Sequence, residues 1–139
     1  MAGQPEELLD AYAYEMSVAV SSFELMGRLL DSDYVKSRVD LLKSSEIFIY
    51  GGGYLGIQFY NASHKLVKVL AIIDKKGKVQ IDNLNIPVID AKKFKIIYKG
   101  QKVIVASVRF YREIRKELLD FVPEDQILFL GEFLGGILE

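Results

Sequence analysis

The sequence predicts an α/β fold: a doubly wound parallel sheet of about five strands, ordered 3-2-1-4-5, behind a helical N-terminal extension. Three observations predict it. Short, nearly unbroken apolar runs recur along the second two-thirds of the chain, as in strands buried on both faces. Amphipathic stretches with three- and four-residue spacing lie between several of them. A glycine cluster follows the first apolar run at once.

Taken in order, residues 5–30 read as one long helix. Pro5 suits a first turn, Glu6, Glu7 and Asp10 favour the positive end of the helix dipole, and Leu8, Leu9, Tyr12, Met16, Ala19, Val20, Phe23, Met26 and Leu30 form an apolar stripe. Asp31-Ser32-Asp33 offers caps for a second helix over 33–43, with Val35, Val39 and Leu42 on its apolar face. Both stripes need covering, either by the following domain or by a second copy of the chain. The first strand is 47–50, stopped by Gly51-Gly52-Gly53, and a helix follows over 54–64. The second strand is 67–73, ended by the turn signal Asp74-Lys75-Lys76-Gly77. A minor strand is expected at 78–81 and a turn at 83–85. The third strand is 86–89, its Pro87 suited to a strand start or an edge. The fourth is 103–106, a helix follows over 109–120, and the fifth strand is 127–130. The tail 131–139 has no readable pattern. The organisation expected is a helical extension over 1–43 and an α/β domain over 44–139.

Composition narrows the chemistry. The chain has 139 residues, half of them hydrophobic and 27% charged, which suits one folded domain and not a disordered chain. It has no cysteine and one histidine, His64, so disulfides, thiol nucleophiles, thiolate sites and multi-histidine metal centres are excluded. The acidic, polar start is no secretory signal, and no apolar run reaches the ~20 residues of a membrane span. A cytoplasmic protein without membrane insertion is expected. Residues 65–102 hold ten lysines against Asp74, Asp82 and Asp90, but the lysines are spread over several elements without interleaved surface aromatics. They read as a solvated face, and no nucleic acid is expected as a partner.

The strongest local signal is Gly51-Gly52-Gly53-Tyr54-Leu55-Gly56, a G-x-G-x-x-G run that leaves a strand and opens a helix. In that context Gly51 permits the tight turn and Gly53 lets the backbone approach a pyrophosphate. Gly56 lets the helix pack close on the strand. Free amides at the helix start, backed by the helix dipole, then meet the phosphate. Asp74 follows the second strand, 23 residues after Gly51, where a carboxylate accepts hydrogen bonds from a ribose diol; it also suits a simple turn. Asp74 repels a 2′-phosphate, whereas Lys75 and Lys76 attract one, which leaves NAD and NADP both open. At the end of the fourth strand, small Ala106 leaves room for a ligand. Ser107 either bonds that ligand or caps the next helix.

Apparent catalytic motifs do not hold up. Tyr98 and Lys102 have the spacing of the short-chain dehydrogenase pair, but Gly100 interrupts a segment read as loop. His64 sits near a helix end without an acid partner. Ser21-Ser22 and Ser44-Ser45 lack a neighbouring base and a nucleophile elbow. No catalytic residue is nominated.

Residues 46–130 resemble a small Rossmann-like domain. The resemblance rests on Ile49-Tyr50-Gly51-Gly52-Gly53-Tyr54-Leu55-Gly56, Ile72-Ile73-Asp74-Lys75-Lys76-Gly77 and Asn85-Ile86-Pro87-Val88-Ile89, together with Val105-Ala106-Ser107, Tyr111-Arg112-Glu113-Ile114 and Val122-Pro123-Glu124-Asp125-Gln126-Ile127. Such domains are similar to the nucleotide-binding N-terminal parts of capsular-polysaccharide nucleotide-sugar dehydratases and epimerases and of sugar O-acyltransferases. The resemblance implies NAD or NADP, or alternatively a nucleotide-sugar, in a cleft lined by the glycine loop, Asp74 and Ala106-Ser107. It also implies a role in polysaccharide or nucleotide-sugar biosynthesis. Those enzymes keep their reaction centre in a further domain, so this chain is expected to bind without catalysing alone. Helices 5–43 lie outside the shared pattern and suit a homodimer contact or a longer parent chain. Two other readings stand beside this one: an interaction or regulatory domain with an empty cleft, and a fragment of an S-adenosylmethionine-dependent methyltransferase, whose glycine loop also follows the first strand.

Overall fold

The computed structural model describes residues 5–43, 45–51, 53–75 and 85–135. Two helices come first, α1 (Pro5–Leu29) and α2 (Ser32–Val39), the latter tightening into a 3-10 turn at Asp40–Leu42. Then follow β1 (Ile47–Tyr50), α3 (Tyr54–Ser63), β2 (Val69–Ile73), β3 (Val88–Ile89), α4 (Ala91–Ile97) and β4 (Lys102–Val105). The chain continues through α5 (Tyr111–Leu118), a 3-10 turn (Glu124–Gln126), β5 (Ile127–Phe129) and α6 (Leu130–Phe133). The sheet runs β3-β2-β1-β4-β5 with every pair parallel, the order expected from the sequence.

The central strands are buried on both faces because helices cover both. On one face Ile47, Ile49, Ile72 and Ile104 pack with α1, α2, α3 and α6. On the other, Phe48, Tyr50, Ile73, Val103 and Val105 pack with α4 and α5, where Phe94 stacks edge-on against Phe48 at 4.8 Å. The period of two along each strand decides which residue faces which layer.

The helical extension packs on the domain within the chain, but α1 does so from another side than the expected stripe, whose Tyr12, Met16, Ala19, Val20, Phe23 and Leu30 are exposed. Leu25 and Leu29 of α1, with Val35, Val39 and Leu42, belong to the same buried cluster as the sheet. Polar contacts reinforce the join: an Arg28 Nη donates to the Leu134 carbonyl at 3.0 Å, and Arg38 Nε to the Phe133 carbonyl at 2.7 Å. Tyr34 Oη also donates to the Leu134 carbonyl. These donors meet carbonyls at the end of α6 that have no acceptor role left inside the helix.

Several boundaries differ from the sequence expectation. The expected 33–43 helix is regular only to Val39, and Lys43 turns left-handed at φ 52°. Strand 67–73 begins at Val69 and helix 109–120 spans Tyr111–Leu118. Strand 86–89 shortens to Val88–Ile89, although the Pro87 carbonyl still accepts from Ile72 N at 3.1 Å on the sheet edge. Leu130, expected in the last strand, starts α6 instead, and that helix brings Phe133 and Leu134 into the core from a stretch without visible pattern. Helix α4 was not foreseen: Asp90 caps it by accepting from Lys93 N at 2.8 Å, and its sole buried side chain is Phe94. The expected strand at 78–81 and residues 83–84 of the expected turn lie outside the described residues. No helix among the described residues is long and apolar enough to cross a membrane.

Since Leu25 is fully buried and Leu41 is exposed, Leu25→Ala is expected to lower unfolding free energy by about 2–5 kcal/mol and Leu41→Ala by under about 0.5 kcal/mol. Urea melts of the two variants check this; equal losses would mean that α1 does not share the core.

Candidate functional site

The carboxyl ends of β1, β2 and β4 open on one cavity of about 780 Å³. It sits where the strand order reverses, between β1 and β4, which is where open parallel sheets bind ligands. The end of β1 holds both neighbours: Gly51 N donates to the Ile73 carbonyl at 2.8 Å and Ala106 N to the Tyr50 carbonyl at 2.9 Å.

The glycines divide the labour between turn, access and packing. Gly51 has φ +127°, which disfavours any side chain. At Gly56, a Cβ would stand 1.8 Å from the Gly51 carbonyl oxygen, so only glycine lets α3 lie this close to the turn it leaves. At Gly53, the N-cap of α3, a Cβ would meet nothing within 4 Å. That position is open toward the cavity, and the amides of the first turn of α3 have no acceptor within the helix. Gly51, Gly53, Tyr54, Leu55, Asp74, Lys75, Ala106 and Ser107 all line the cavity. Gly56 stands behind it as a packing residue, and Gly52 lies outside the described residues.

Asp74 is half-buried at the end of β2, its N–H donating to the Ile89 carbonyl at 3.0 Å. Lys75 turns toward α5, its Nζ 3.3 Å from a Glu117 carboxylate oxygen. Ser107 accepts from Phe110 N at 3.0 Å, closing the turn before α5 while still lining the cavity. The N-cap position of α5 is Phe110, so Ser107 does not cap the helix as one reading expected but braces the turn ahead of it.

Sequence reasoning missed one wall entirely. Val18, Ser22 and Met26 of α1 border the cavity, as do Val108, Arg109, Phe110 and Glu113. Tyr14 Oη donates to the Arg109 carbonyl at 2.7 Å, and the Arg109 guanidinium makes a two-pronged bond with the Glu15 carboxylate. That bond holds the Glu15 carboxyl below its usual range and raises Arg109 further. The pair is exposed, so salt screens it and its role is to position α1, not to stabilise the fold. No local signal announces a contact between residues 94 positions apart.

The discarded catalytic motifs stay apart. Tyr98 Oη donates to the Gln101 carbonyl and Lys102 Nζ bonds Gln126, while His64 stacks on Tyr60 at 4.9 Å at the far end of α3. Among the described residues no cluster of three or more His, Cys, Asp or Glu could hold a metal ion. No protein-family model matches this chain, and no curated protein is significantly similar to it.

Tyr50 closes the cavity floor, and its phenol is pushed up to about 12, by burial first and by the Glu117 and Asp74 carboxylates second. The unfolded chain therefore releases this proton near the ordinary value of 10 while the fold still holds it. Stability from this group is complete below pH 10 and is expected to fall as pH rises toward 12. Urea midpoints across that window should decline less steeply in Tyr50→Phe; an unchanged slope would place the titration elsewhere.

Proposed function

We propose that this chain is a Rossmann-like domain that binds a dinucleotide, NAD or NADP, or alternatively a nucleotide-sugar, and does not catalyse alone. The observation that carries the reading is the meeting of three features in one cavity: the glycine turn with the open N-terminus of α3, Asp74 at the end of the neighbouring strand, and the small Ala106-Ser107 strand end. The pyrophosphate would lie on the amides of α3, where the helix dipole favours negative charge. Asp74 would accept from a ribose diol. With Lys75 turned onto Glu117, a free 2′-hydroxyl suits this corner better than a 2′-phosphate. Val18, Met26, Val108 and Phe110 would shelter an aromatic base or ring. A place in polysaccharide or nucleotide-sugar biosynthesis follows only from the resemblance of 46–130 to those enzymes' N-terminal domains.

A second reading, an interaction domain whose cleft stays empty, draws support from α1, which spends a full face outside the core. Thermal unfolding with NAD, NADP, nucleotide-sugars and S-adenosylmethionine separates the readings. A ligand at a hundred times its dissociation constant adds about 2.7 kcal/mol, hence several degrees of melting temperature. The shift is expected with a nucleotide and lost in Gly53→Val, which has room for its side chain and so keeps its fold. A folded protein that responds to none of these ligands would decide for the empty cleft, and a response to S-adenosylmethionine alone for the methyltransferase relative.

A further inference from the structure

We propose that the outward face of α1 is a self-pairing surface on which a second copy of this chain docks antiparallel through Tyr12, Met16, Ala19, Phe23, Met26 and Leu30. These residues follow one another at steps of four, three, four, three and four, a mean of 3.6, so they keep to one side of a straight helix. The core side of α1 is elsewhere, at Leu25 and Leu29. The seam is bare: Tyr12 is 66% exposed, Met16 48%, Phe23 79% and Leu30 83%, with Val20 beside it at 52%, and Met26 half-buried. Leu30 continues the helical ladder, its N–H donating to the Met26 carbonyl.

Three considerations make a second copy the occupant. The first is size. A large apolar side chain covers roughly 150–200 Å², so burying this stripe removes on the order of 600 Å² per protomer. The total of about 1,200 Å² is the lower bound of a specific stable interface.

The second is complementarity. With a two-fold axis between Ala19 and Phe23, Ala19 lies opposite the partner's Phe23, Met16 opposite the partner's Met26, and Tyr12 opposite the partner's Leu30. Small meets large in the middle, and no layer places two small residues together. Parallel pairing would instead stack Phe23 on itself and Ala19 on itself, a bulge beside a gap. The two-fold contact is closed, so it ends at a dimer.

The third is charge. Helix α1 carries Glu6, Glu7, Asp10, Glu15 and Glu24 against Arg28 alone. An anionic membrane surface repels such a helix, because lipid-seeking helices flank their apolar face with lysine and arginine. A second copy of the seam brings no charge to the middle of the contact. Pairing would also support the N-terminal half of α1, whose described contacts with the body include those of Tyr14, Glu15 and Val18. Of the seam residues Met26 also lines the cavity, whereas Tyr12, Met16, Ala19, Phe23 and Leu30 do not.

Sedimentation velocity of the chain between about 5 and 300 μM tests the proposal. The mass is expected to rise from 15.8 kDa toward twice that value. Phe23→Glu and Met16→Glu, both on exposed positions, are expected to keep the urea midpoint of the dilute chain and to weaken dimerisation at least about thirtyfold. Because the chain has no cysteine, direction can be read by cross-linking. A mixture of Ala19→Cys and Phe23→Cys chains is expected to form the mixed disulfide in preference to either homodimer. A chain that stays monomeric across the range overturns the proposal, as does a dimer that survives both glutamates. Preferential Ala19→Cys homodimers overturn the antiparallel arrangement. A monomer that co-sediments with phosphatidylcholine–phosphatidylglycerol vesicles assigns the stripe to lipid instead.

Discussion

The passage from β1 into α3 constrains everything around it. Gly51 reverses the chain at a positive φ, and its carbonyl oxygen lies where any side chain on Gly56 would have to be. That contact draws the N-terminus of α3 directly over the carboxyl end of β1, so the helix amides point into the gap left where strand order reverses. It also fixes the height of α3 on the sheet. Ile57, Phe59 and Tyr60 then face a cluster that α1 and α2 complete with Leu25, Leu29, Val35 and Val39. A methyl group at Gly56 would disturb the turn, the cavity mouth and the seating of the first two helices together.

Helix α1 shows how one element serves several surfaces. Its last turns lie in the core, its middle borders the cavity through Val18, Ser22 and Met26, and its outer stripe, apart from the shared Met26, faces away from both. The bond of Arg109 to Glu15 and the bond of Tyr14 to the Arg109 carbonyl tie the helix to the loop before α5. The cavity is therefore bounded by the extension as well as by the sheet. Exposed charges of this kind contribute little stability, but they set where the wall stands.

Much of the fold was legible because its signals are local. Ile47–Tyr50, Val69–Ile73 and Lys102–Val105 are strands buried on both faces, and an unbroken apolar run ending in glycine, aspartate or a small residue announces that situation. The glycine turn and Asp74 were legible for the same reason, their spacing being set by one strand–helix–strand unit. Helix α4 was not: Ala91–Ile97 buries only Phe94 among lysines, so no apolar period marks it and the Asp90 cap is its main signal. Helix α6 is four residues long, too short for any period to show. The α1 wall escaped notice because the stripe visible in the sequence is mostly exposed, whereas core and cavity are met from another side of the helix by Val18, Ser22, Leu25 and Leu29. That division depends on contacts between residues nearly the whole chain apart.

Amide chemical-shift mapping during an NAD titration measures where a nucleotide touches the protein. The largest shifts are expected at Gly51, Gly53, Tyr54 and Leu55, with smaller ones at Asp74 and across Ala106–Arg109. Shifts confined to the lysines of α4, on the opposite face of the sheet from α3, would show charge attraction without a site and would contradict the account.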